Sequence, residues 1–114
     1  METTPYFLTG VYGFTGTGLD APAPLDGVSY TVPADKRSQL IYFRGGNSAE
    51  GLVAITLMRD GKPFRTFPIG AQAAMHVPLA VVEDLEPESK LEIFVAAPAG
   101  VAGEVVLDIG WIEV

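Results

Sequence analysis

From Val28 onward, apolar residues recur at every second position, and no window keeps a convincing 3.6-residue period. Such alternation describes strands with one face buried, because successive side chains leave a strand on opposite sides. Near the C-terminus, Val105, Leu107, Ile109 and Trp111 share one face, while Glu104, Asp108 and Gly110 share the other. This predicts a half-buried antiparallel strand. Met75, Val77, Leu79 and Val81, and then Leu91, Ile93 and Val95, repeat the pattern. Val28–Val32 and Gln39–Phe43 add two more strands around the turn Pro33-Ala34-Asp35-Lys36. The best helical window, Val81–Leu85, is short and β-branched.

The segment Gly51–Arg59 and the segment Lys62–Ile69 flank Asp60-Gly61. An Asp-Gly pair between two runs of β-formers marks a hairpin, since a type I′ turn needs positive φ at both central positions. In the first run, Leu52, Ala54, Thr56 and Met58 alternate with Val53, Ile55 and Leu57, so both faces are largely apolar. That pattern predicts a strand covered on both sides, or one that offers a face to a partner. Pro63, Pro68 and Pro78 lack a donor and are expected at sheet edges. Glu86-Pro87-Glu88-Ser89 and Pro98-Ala99-Gly100 carry turn chemistry.

Seven or eight short strands in 114 residues predict one all-β domain, an antiparallel β-sandwich of immunoglobulin-like or jelly-roll topology. Residues 1–27, rich in Gly, Thr, Pro and aromatics, are expected as an extended N-terminal arm or first strand, ahead of a sandwich spanning 28–114. The stretch Leu85-Glu86-Pro87-Glu88-Ser89-Lys90-Leu91, followed by Ile93, Val95 and Ala97, resembles the corner before the penultimate strand of fibronectin type III-like modules. That family usually has Tyr where Leu91 stands, and its earlier buried Trp is missing. The resemblance implies an immunoglobulin-like sandwich and carries no function.

Composition narrows the chemistry. The absence of cysteine removes disulfides, thiolate metal sites and cysteine nucleophiles. A net charge of −7 and a pI near 4.4 argue against duplex nucleic acid and anionic membranes as partners, because both need a cationic face. The first residues have neither the cationic start nor the compact aliphatic run of a signal peptide, and the uncharged window 66–82 is interrupted by prolines, Gly70 and His76. A soluble, cytoplasmic protein is the resulting expectation.

The charge is unevenly laid out. Residues 36–65 hold six bases against two acids, whereas residues 83–114 hold one base against eight acids. Two solvated faces of opposite sign are one reading. Self-complementarity is the other, with a positive hairpin on one protomer steered to an acidic surface on the next. A mean hydropathy of +0.30 and the aromatic run Tyr6, Phe7, Tyr12 and Phe14 favour an oligomer, which has room to cover apolar strand surface.

Candidate chemistry is sparse. His76 is the only imidazole, on the face opposite Met75 and Val77, and no serine stands in a nucleophile-elbow context. It reads as a structural or interface residue, as do Tyr6, Phe7, Tyr12 and Phe14. The acids Glu83, Asp84, Glu86 and Glu88 lack the spacing of a calcium loop. Residues 44–51 read as a long polar loop, with Gly45-Gly46-Asn47 permitting positive φ. Arg44 and Asn47 there, joined by Arg59 and Arg65 from the same sheet, form a candidate clamp for a sugar or small anion. No catalytic residue, metal or cofactor is expected. The pattern reads first as a non-enzymatic, oligomeric β-sandwich acting through contacts with itself or another protein. A module for a small polar ligand is the alternative.

Overall fold

The computed structural model describes residues 3–79 and 84–114. They form nine strands: β1 (Thr4–Thr15), β2 (Ala23–Thr31), β3 (Ser38–Asn47), β4 (Val53–Arg59), β5 (Lys62–Ile69), β6 (Ala74–Pro78), β7 (Asp84–Leu85), β8 (Lys90–Ala96) and β9 (Ala102–Glu113). A first sheet has the order β1-β9-β3-β6, with β7 also on β3, and a second has the order β2-β8-β4-β5. Every pairing is antiparallel.

The chain passes from one sheet to the other between β1 and β2, β2 and β3, β3 and β4, β5 and β6, β7 and β8, and β8 and β9. Of the two topologies left open by the strand pattern, this is the jelly roll. In an immunoglobulin-like sandwich the last two strands are sheet neighbours, whereas β8 lies between β2 and β4 and β9 lies in the other sheet. The corner that resembles fibronectin modules does precede the penultimate strand, but that strand has jelly-roll partners.

The local predictions have physical counterparts. Asp60 and Gly61 have φ of 52° and 80°, the two positive values a type I′ hairpin requires. Pro63 and Pro68 lie in β5, at the edge of the second sheet, and Pro78 lies in β6, at the edge of the first. Asp84 and Leu85 of the short helical window are strand instead, because Leu85 pairs with Ser38 and Asp84 with Gln39. Residues 81–83 of that window, together with Glu83 of the acidic cluster, lie outside the described residues.

The glycine-rich N-terminal segment enters the sandwich directly. β1 pairs with β9 from Thr4 opposite Glu113 to Thr15 opposite Ala102 with no register shift. β2 runs across position 27, so no boundary falls there.

One core fills the space between the sheets. Val53, Ile55 and Leu57 of β4 face Phe43, Val105, Leu107 and Ile109 of the first sheet, all fully buried. Phe43 and Phe67 stack across the sandwich at 4.1 Å between ring centroids, with planes 4° apart. Burial of each ring contributes roughly 1.5–3 kcal/mol. The opposite face of β4 is less apolar, and Thr56 there bonds to Thr66 at 3.2 Å.

Candidate functional site

The outward face of the first sheet is set by the registers of β9, β3 and β6. Asp108 lies opposite Arg44, and Arg44 opposite His76, so three polar side chains form one row across three strands. The next row is Val106, Gly46 and Ala74. The row on the other side is Gly110, Tyr42 and Pro78, in continuous register with the Arg44 row; an irregularity follows beyond it, between Tyr42 and Leu40.

Tyr42 organises the polar row. Its ring lies over Gly110, in the space a Cβ there would need. Its hydroxyl donates to Asp108 Oδ1 at 2.8 Å. Arg44 Nη1 stands 3.7 Å from Asp108 Oδ2, and the guanidinium lies 5.1 Å from the Tyr42 ring centroid. His76 meets the same ring edge-on, at 6.1 Å and 84°. Burial, the hydrogen bond to Asp108 and the Asp108 charge raise the Tyr42 phenol above the usual tyrosine range, with Arg44 opposing them. The cation and the carboxylate offset each other, leaving a locally neutral patch dense in donors and acceptors.

Beside this patch lies an open depression of about 620 Å³, lined by Arg44, Gly46, Ala74, Met75, His76, Val106 and Asp108. Gly46 keeps it open. A Cβ at that position would meet Val106 and Ala74 only at 3.9 and 4.0 Å, so the missing side chain is not a packing requirement of the sheet. An apolar floor with a few convergent polar groups at the rim is the usual character of a small-ligand site.

The expected clamp is corrected in three respects. Residues 44–47 belong to β3 and are not loop, because they pair with β9 and β6. Gly45 and Gly46 are not among the glycines with positive φ; Gly45 instead leaves room for Ile69 and the Phe43 ring. Arg59 and Arg65 lie in the second sheet, at 5.3 Å from the rings of Phe64 and Phe67 respectively, and do not join Arg44 in the first sheet.

Asn47 is 5% exposed and structural. Its amide donates to the carbonyls of Gly51, Gly70 and Ile69 at 2.9, 3.2 and 3.5 Å, and its Oδ1 accepts from the Ala49 N–H at 2.9 Å. Those bonds fix the turn after β3 against the end of β5 and occupy its polar atoms.

Of the residues assigned to an interface, His76 lies in the groove and Phe7 stands outward from β1, 63% exposed. Tyr6 stacks on Trp111 at 6.3 Å, while Tyr12 and Phe14 pack against the core from the β1 side. The basic and acidic segments meet within the chain. Arg37 lies 3.7 Å from Asp84 and 3.2 Å from Glu86, and Arg44 pairs with Asp108. Among the described residues no group of three His, Asp or Glu side chains is placed to hold a metal ion, and no helix is long and apolar enough to cross a membrane. Sequence reasoning did not single out Tyr42, Asp108 or Gly46 as a group, since their grouping depends on the pairing of three distant strands.

No protein-family model matches the chain, and no curated protein does. Solved structures do. The CBM36-1 domain, a carbohydrate-binding module, of a multidomain xylanase from the hindgut metagenome of Trinervitermes trinervoides superposes with a TM-score of 0.55 at 16% identity, covering 92% of this chain and 96% of that one. A capsid protein of infectious bursal disease virus, Gt strain, gives 0.51 at 15% identity over 97% of this chain and 32% of the viral one. Insecticidal delta-endotoxin Cry8Ea1 of Bacillus thuringiensis gives 0.50 at 10% identity, over 90% of this chain and 19% of the toxin. At such identities the likeness is one of fold: this chain is a β-sandwich similar to domains that serve several different proteins.

Proposed function

We propose that the protein is a non-enzymatic binding module that takes a neutral, hydroxyl-rich ligand of the sugar class on the outward face of the first sheet. The observation that carries this reading is the Tyr42–Asp108–Arg44 chain set beside the apolar floor of Gly46, Ala74 and Val106. Vicinal hydroxyls need donors and acceptors at close spacing, which an Arg–Asp pair supplies. A C–H face of a sugar ring needs a flat apolar surface, which the glycine-centred row supplies. A small anion is the weaker ligand, because the Asp108 carboxylate stands beside the one guanidinium of the groove. Likeness of fold to a carbohydrate-binding module is compatible with this reading.

Calorimetric titration against a panel of neutral oligosaccharides tests it. The expected result is saturable heat for at least one member, weakened at least tenfold by Arg44→Ala with the unfolding temperature of the free protein little changed. A panel that yields neither heat nor a thermal shift overturns the reading.

A further inference from the structure

Among the described residues the two sheets present four edges, and three of them are guarded. β5 carries Pro63, Pro68 and the cations Lys62 and Arg65, with a register shift in its pairing to β4. β6 has only five residues and ends at Pro78. β2 has Pro24 and an irregular register between Pro24 and Ser29, with Gly27 at a φ of 73°. Prolines, charges, bulges and short length are the devices by which folded proteins keep sheet edges from pairing.

β1 has almost none of these. It is 12 residues long, carries no charged side chain, holds unbroken register with β9, and its one proline is second from its start. Its outward side chains include Phe7 and Val11, 63% and 59% exposed. Its inward aromatics are also incompletely covered: Tyr6 is 41% exposed, and depressions of about 280 and 420 Å³ lie between β1 and β2. The edge is therefore short of cover in its backbone and on both of its faces.

We infer that β1 pairs antiparallel with β1 of a second copy, joining the two first sheets into one continuous sheet across a two-fold axis. Self-pairing suits this strand because no register sets like charges opposite each other within it, in a chain whose net charge is −7. A two-fold axis normal to the sheet keeps outward residues opposite outward residues. Centred on Gly10, it sets Phe7 of each copy opposite the partner's Gly13, where a large ring covers a position with no side chain. The second copy also lies alongside the uncovered aromatics next to β2. The acids Glu104 and Asp108 stay on β9, one strand away from the seam.

Light scattering coupled to size exclusion and concentration-dependent amide exchange test the inference together. The wild-type chain is expected at twice 12.1 kDa at micromolar concentration, with β1 amides exchanging more slowly as concentration rises. The double variant Phe7→Lys, Gly13→Lys is expected at the mass of one chain. It should remain folded, because Phe7 is exposed, a Cβ at Gly13 meets no atom within 4 Å, and Glu104 lies opposite Gly13 in the intact sheet. An unchanged far-ultraviolet spectrum checks that. A wild-type monomer, a double variant that keeps the dimer mass, or β1 exchange indifferent to concentration would each overturn the inference.

Discussion

The Tyr42 ring occupies the place a side chain at Gly110 would take, and from there its hydroxyl reaches Asp108 at 2.8 Å. Gly110 lies directly opposite Tyr42 on the neighbouring strand, so glycine is what allows the ring to lie down along the sheet. A lying ring presents its hydroxyl to Asp108 and its face to Arg44 at once.

Gly110→Ala should therefore lift Tyr42 off the sheet and release Asp108. Forcing an added methyl against a packed ring costs roughly 1–3 kcal/mol. Thermal unfolding should show that loss, and saccharide binding should weaken with it. Tyr42→Phe separates the two effects. It keeps the ring, removes one hydrogen bond worth about 1 kcal/mol, and should weaken binding with a smaller drop in stability.

Gly46→Val should leave the fold intact or stabilise it by up to about 1 kcal/mol, since a strand interior favours a β-branched residue over glycine. The neighbours of the new Cβ stand at ordinary contact distance. The isopropyl group would fill the floor of the groove. Calorimetry with the saccharide bound by wild type should then show no binding, while the melting temperature holds or rises.

The raised Tyr42 phenol has a consequence at high pH. The folded chain holds this proton more tightly than the unfolded chain, so its contribution to stability is complete below the ordinary tyrosine value of about 10 and is lost as pH climbs through the higher folded value. Absorbance titration should show a late tyrosine component that disappears in Tyr42→Phe. A Tyr42 titration at or below the ordinary value would contradict the geometry.

Asn47→Ala should damage the fold and not ligand binding directly. Its amide and carbonyl together join the turn after β3 to Gly51, Gly70 and Ala49, and losing a buried partner costs about 1–3 kcal/mol per group left without a bond. Chemical denaturation should report a drop of that size, whereas Arg44→Ala should report little.

How much of this was legible in the chain depended on distance along it. The β4–β5 hairpin is written locally, because Asp60-Gly61 alone carries the two positive φ values. Edge placement of Pro63, Pro68 and Pro78 follows from one missing donor each. β1 was harder to read, since Gly10 and Gly13 interrupt its alternation, and its strand character comes from pairing with β9. The groove was not legible at all. Tyr42 and Asp108 are 66 positions apart, and neither pattern nor charge reveals that β3 and β9 pair in the register that joins them. For the same reason Arg44, Arg59 and Arg65 looked like neighbours although the chain changes sheet between the first and the other two.

The pairing of β1 with β9 also governs the order in which the molecule can assemble. β1 is the first of the described strands in chain order, yet β9, the strand it pairs with, is the last of them. Until β9 joins it, this uncharged, aromatic strand lacks its sheet neighbour, and loop closure across the seven described strands in between must precede any reward. Refolding on the slow side for a sandwich of this size follows.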